Sequence, residues 1–202
     1  MNLIVFDFDG TLVESKEILL SNYYQYFQNT IEIEQLKKMT KWSLNDLCLW
    51  IKLEFGEIIV RDYVESIKKI YRNLVPEVNI FSTLTTIKSN GDKVAIITNG
   101  RCELVIEILR KSNLQDLVDK VVCPGHNLKP KPNSEMLARL LLRNEYEKIV
   151  LVDDEVDNFK MGIPFNTLNY HFTKNECKSM GGLMHVDIDS LDVLPKLFEK
   201  RV

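Results

Sequence analysis

Two aspartates stand where a hydrophobic strand should simply end. Leu3-Ile4-Val5-Phe6 is an unbroken apolar run, and Asp7-Phe8-Asp9-Gly10-Thr11 follows it at once. Carboxylates at the end of a buried strand call for a cation to answer them. Spaced i and i+2, the two begin on the same side of an extended backbone. Gly10 permits a sharp turn after them, and Thr11 adds a hydroxyl. The combination suits a metal-assisted carboxylate nucleophile.

Three further polar clusters follow apolar runs. After Val94–Ile97 comes Thr98-Asn99-Gly100. Its hydroxyl, amide and backbone donors, set just before a helix, can hold phosphate oxygens. Past Lys120–Cys123 a loop leads to Lys129-Pro130-Lys131-Pro132, where alternating prolines stiffen the chain around a lysine. Lys129 and Lys131 compete for that place, and the Lys-Pro-x-Pro spacing favours Lys129. After Ile149–Val152 come Asp153-Asp154 and then Asp157-Asn158. Open α/β sheets bind their ligands at such strand ends.

The elements that must carry these clusters alternate. Short apolar runs, with weaker ones at Thr167–Phe172 and Met184–Ile188, are interspersed with helical patterns at Glu103–Lys111, Ser134–Arg143 and Leu191–Glu199. This predicts an α/β fold, a Rossmann-like parallel sheet with helices on both faces. The alternation lapses from Glu14 to Leu74, a proline-free interval with helical patterns at Lys16–Gln28, Ile33–Met39, Ser43–Glu54 and Glu57–Arg72. Ser43 reads as a helix start and Gly56 as a stop. A small all-helical cap domain over residues 14–75 is therefore expected, inserted into a core of residues 1–13 and 76–202. Lys41 and Trp42 fall in this cap, where they are candidates for substrate contact.

Bulk composition narrows the partners. Over 202 residues, 26 Lys+Arg against 29 Asp+Glu leave a net charge of −3, so neither nucleic acid nor an anionic membrane is the expected partner. Cys48, Cys102, Cys123 and Cys177 are far apart and form no close pair. That spacing argues against a zinc site and reads as a reduced, intracellular chain. No apolar stretch nears the roughly 20 residues of a membrane helix, and the first residues lack the basic leader of a signal peptide. A soluble, cytoplasmic protein is the expectation. A dimer face and an exposed cap surface look alike in one sequence.

Taken in order, Asp7-Phe8-Asp9-Gly10-Thr11, Thr98-Asn99, Lys129-Pro130-Lys131-Pro132 and Asp153-Asp154 resemble the four motifs of the haloacid dehalogenase-like (HAD) phosphohydrolases. The resemblance covers nearly the whole chain and implies a Mg²⁺-dependent phosphatase. It implies that Asp7 is the nucleophile, forming an aspartyl-phosphate, and that Asp9 is the general acid and base, with its carbonyl on the metal. Thr98 and Asn99, with Thr11, are the candidate phosphate ligands. Lys129 offsets charge around the phosphate, Asp154 ligates the metal with Asp153 beside it, and Asn158 orients the lysine. The implied partner is a small phosphorylated metabolite, and phosphoglycolate-like acids, sugar phosphates and nucleotides all fit that class. A phosphomutase is the alternative enzyme, but Glu14–Leu74 lacks the histidine that related mutases place at the cap hinge. A non-catalytic binding module of the same fold is a further alternative, although Asp7, Asp9, Lys129 and Asp154 are all present.

Overall fold

Leu3–Phe6 forms β1, buried along its whole length. A computed structural model, describing residues 1–27, 39, 42–125, 127–173 and 184–197, sets it at the middle of a six-stranded sheet. The other strands are β2 (Lys93–Ile97), β3 (Lys120–Val122), β4 (Ile149–Asp153), β5 (Leu168–Phe172) and β6 (Val186–Ile188). Their order is β3-β2-β1-β4-β5-β6, and every pairing is parallel. Val5 lies opposite Ala95 on one side and Leu151 on the other. The chain builds outward from β1 through β2 to β3, then returns to lay β4, β5 and β6 on the opposite flank. That reversal makes a switch point between β1 and β4, where a crevice opens at the strands' C-terminal ends.

Strand alternation divides the core into two layers. Ile4 and Phe6 pack with Val94, Ile96, Val150 and Val152, while Leu3 and Val5 pack with Ala95, Ile97 and Leu151. Helices α4 (Ile80–Ser89) and α5 (Cys102–Lys111) cover the first face. Helix α6 (Glu135–Leu141) and a 3₁₀ helix at Val156–Phe165 cover the second. The expected doubly covered parallel sheet is thus the observed one.

Between β1 and β2 run α1 (Lys16–Phe27), α2 (Leu44–Phe55) and α3 (Glu57–Asn73). The Ser43 hydroxyl caps α2 by accepting from the Asp46 amide at 3.1 Å, and Gly56 separates α2 from α3. On α3, Tyr63, Ile67 and Tyr71 recur every four residues and are buried, the stripe an amphipathic helix turns inward. Phe27 sits among Trp50, Phe55 and Tyr63 with ring centroids 5.4–5.9 Å apart. Val13 bridges Pro76 where the chain leaves and re-enters the sheet layer. Of the predicted helix Ile33–Met39, all but the buried Met39 lies outside the described residues. The Leu191–Glu199 pattern appears as a 3₁₀ turn at Leu191–Val193 followed by α7 (Leu194–Leu197), with residues 198–199 outside them.

Helix α4 has no counterpart in the sequence reading. Its segment is rich in Ser and Thr, whose hydroxyls compete for the backbone. Here Thr85 and Thr86 donate to carbonyls four residues back within the helix, and Ser82 donates to that of Asn79 just before it, while Ile80, Leu84 and Ile87 anchor it to the sheet. The cysteine expectation also changes. Cys102 and Cys123 form a disulfide with Cα atoms 5.8 Å apart. They are 21 residues apart in sequence, but adjacency of β2 and β3 brings the segments that follow them side by side. Among the described residues no helix is long and apolar enough to cross a membrane.

Candidate active site

Asp7 continues β1 by one residue, its amide donating to the Val152 carbonyl at 2.8 Å. The Asp7 side chain is buried, and its Oδ1 meets the Lys131 ammonium at 2.7 Å. Lys131 Nζ also lies 2.8 Å from Asp153 Oδ2. Buried ions survive only when paired this closely. Burial drives Asp7 well above the ordinary carboxylate range; Lys131 pulls it back, and Asp153 and Asp154 push it further up. Lys131 is raised above its ordinary value: burial opposes its charge, but Asp153 and Asp7 more than compensate.

The lysine is therefore not the expected one. Lys129 is 71% exposed at its side chain and pairs with Glu135 at 3.1 Å, whereas Lys131 is 2% exposed and inside. Spacing alone does not reveal this, because the loop's path decides which lysine faces inward. Asn99 helps to fix that path: its Oδ1 accepts from the Lys131 amide at 2.8 Å and its Nδ2 donates to the Lys131 carbonyl at 3.3 Å. The side chain of Asn99 thus holds the lysine loop. Asn158 donates to Asp153 Oδ1 at 2.9 Å, so it steadies the lysine's partner and not the lysine.

Asp9 has a different environment. Ser15 donates to its Oδ1 at 2.6 Å and Tyr71, from the far end of α3, donates to its Oδ2 at 2.7 Å. Burial raises Asp9, and the two hydroxyls only partly offset that. Neither Ser15 nor Tyr71 stands out in the sequence, where Tyr71 reads as one more member of an apolar stripe. Gly10 turns the chain with φ of 86°, and a Cβ on it would lie 2.7 Å from Asp154 Cγ. Only glycine fits both the conformation and the space.

Asp153 and Asp154 divide the work at the end of β4. Asp153 spends both oxygens on protein donors: Lys131, the Glu155 amide and Asn158. Asp154 pairs through Oδ2 with Lys16, the first residue of α1. Its Oδ1 is buried with no hydrogen-bond partner. Burial pushes Asp154 up to about 6, against the pull of Lys16. Asp7, Asp153 and Asp154 each offer an oxygen within 4.8 Å of the others. An all-oxygen set with one orphaned carboxylate oxygen fits a hard divalent cation such as Mg²⁺.

Asp7, Asp9, Lys131 and Asp154 line a cavity of about 330 Å³, as do Thr98, Asn99 and Gly100. Thr98 is buried, its hydroxyl accepting from the Gly100 amide at 2.9 Å. Trp42 lines the same cavity and is 40% exposed. Lys41 lies outside the described residues. Thr11 is wholly buried and is not among the lining residues, so the structure does not bring it to the site.

Residues 4–167 match the model of the haloacid dehalogenase-like hydrolases. Pyrophosphatase PpaX of Bacillus thuringiensis is 27% identical over 161 residues, 76% of this chain and 74% of the relative. Two solved structures share the fold. CbbY from Rhodobacter sphaeroides, in complex with phosphate, superposes with a TM-score of 0.73 over 95% of both chains at 16% identity. A HAD phosphatase from Thermococcus onnurineus gives 0.69 over 100% of both at 18% identity.

Proposed function

The chain belongs to the haloacid dehalogenase-like hydrolases, and from that premise we propose that it is a Mg²⁺-dependent phosphatase hydrolysing a small phosphate monoester through an aspartyl-phosphate on Asp7. One observation carries the reading. Two carboxylates two residues apart have opposite partners, a lysine for Asp7 and two hydroxyls for Asp9. A carboxylate held by an ammonium suits a nucleophile; one held by two neutral hydroxyl donors suits a group that gives up and takes back a proton.

In the first step a carboxylate oxygen of Asp7 bonds to phosphorus as the ester P–O bond breaks, and Asp9 gives its proton to the leaving oxygen. In the second, water attacks the aspartyl-phosphate while Asp9 takes its proton, so phosphate leaves and both aspartates are restored. Lys131 keeps Asp7 aimed and offsets charge. The Thr98 hydroxyl and Asn99 amide suit phosphoryl oxygens. Asp7, Asp154 and the Asp9 carbonyl would hold Mg²⁺, which when bound offsets the charge of phosphate and carboxylates together. Helices α1–α3 act as a cap of residues 14–75 over the core of residues 1–13 and 76–202, a division supported by their own aromatic cluster around Phe27.

Phosphate release from a panel of esters is the test. Activity should need Mg²⁺ and vanish with EDTA. Asp7→Asn should lower kcat by about 10³-fold or more and Lys131→Met by about 10²-fold, while Lys129→Met stays within about twofold. Undiminished turnover in Asp7→Asn would sink the mechanism.

A further inference from the structure

The cavity's lining is of two characters. Besides the carboxylates it includes Leu19, Leu20 and Tyr23 of α1, Ile67 and Tyr71 of α3, and Trp42, with Tyr71 reaching Asp9 through its hydroxyl. At about 330 Å³ it lies at the small end of the range for ligand pockets, so a phosphate group leaves room for only a compact organic part. That part must lie against the apolar wall.

Charge narrows the choice further. Among the described lining residues, six carboxylates face two lysines. Both lysines are already paired, Lys131 with Asp7 and Asp153, and Lys16 with Asp154 and Glu155. With Asp9 protonated, as the first step requires, and a divalent cation bound, the lining carboxylates still exceed the positive charges by one before the phosphate enters. Glu17, exposed at the cavity's edge, extends that charge outward, whereas Asp157, also exposed, pairs with Lys160 at 3.0 Å. A second anionic group on the substrate would find repulsion there and would lose its hydration against Leu20 and Ile67.

We propose that the preferred substrate is a monoester of an uncharged, compact apolar alcohol, aromatic or branched, whose organic part packs between α1 and α3 against Leu20, Tyr23, Ile67 and Trp42. Substrates bearing a second anion, such as pyrophosphate or phosphoglycolate, are selected against, with Glu17 contributing directly. The proposal rests on the phosphatase reading above, and it specifies the leaving-group side of that same site.

A matched pair of probes tests it. Benzyl phosphate and 4-carboxybenzyl phosphate share the scissile bond and the ring, and differ by one remote carboxylate. With Mg²⁺, kcat/KM should favour benzyl phosphate at least tenfold, with pyrophosphate and phosphoglycolate also below it. Calorimetric Kd values on the Asp7→Asn protein should show the same preference without turnover. Glu17→Lys, on the exposed face of the first turn of α1, should shrink the benzyl preference at least threefold in both assays. Equal or better handling of 4-carboxybenzyl phosphate or pyrophosphate, or a ratio unmoved by Glu17→Lys, overturns the proposal. Discriminating Kd values without phosphate release from any ester would leave this subsite standing and overturn the phosphatase reading instead.

Discussion

Tyr71 is the residue whose importance is hardest to see in the sequence and easiest to see in the structure. It is buried, lies 6.5 Å from the Phe8 ring centroid, and gives its hydroxyl to Asp9. Burial, with Asp9 alongside, pushes the Tyr71 hydroxyl well up, so it remains a donor at any working pH. Its bond favours ionised Asp9, whereas burial favours the protonated acid and prevails. Tyr71→Phe removes one of the pulls downward, so Asp9 should hold its proton to higher pH. The alkaline limb of the pH–kcat/KM profile is then expected to move upward, with about a fivefold fall at the optimum from losing one hydrogen bond. A limb that stays put would show that Tyr71 does not tune Asp9. Asp7, Asp9, Thr98 and Asp154 are legible in the sequence because each follows directly from an apolar run. Lys131, Ser15 and Tyr71 are not, because their places depend on a loop's path and a helix's docking.

At the scale of elements, the strands are plain in the sequence and α4 is not: a fully buried parallel strand reads as an apolar run, while a helix of Ser, Thr and β-branched residues is held by packing. Asp119 ties that helix to the sheet at the strand ends opposite the site. It accepts from Lys88 of α4 at 2.6–2.7 Å, from Lys93 at 2.9 Å and from the Val94 amide at 2.9 Å. Burial would raise Asp119, but these donors outweigh it and hold the carboxyl below its ordinary value. A depressed carboxyl stabilises the fold above its unfolded pKa, near 4, and loses that contribution as pH falls through its folded value. Asp119→Asn should therefore cost about 1 kcal/mol at neutral pH, a small figure because the group is partly wetted. The difference from the parent should fade below about pH 4, while kcat is unchanged. Denaturant melts at pH 7 and pH 3 measure both; an equal cost at the two would contradict the assignment.

Across the whole molecule, the Cys102–Cys123 disulfide joins the segment after β2 to the one after β3, next to the loops that carry Thr98 and Lys131. The spacing of four cysteines pointed instead to free thiols, since neither residue announces the strand adjacency that pairs them. Closing a loop of this length contributes about 3 kcal/mol in the chain-entropy view. A reductant should then lower the melting temperature of the protein by about 6–12 °C. Cys102→Ser should melt at the reduced value and be indifferent to reductant, and calorimetry that finds no such drop would deny the bridge a stabilising role. The central position of β1 has a consequence for how the molecule comes into being. The strand that carries Asp7 is made before the rest of its sheet, yet its neighbours begin at Lys93 and Ile149. Until both are made, an apolar strand waits with unsatisfied edges, a state prone to clumping. A nascent chain halted before β4 would hold Asp7 and Lys131 but not Asp153, so the paired cluster of the three closes only with the last central strand.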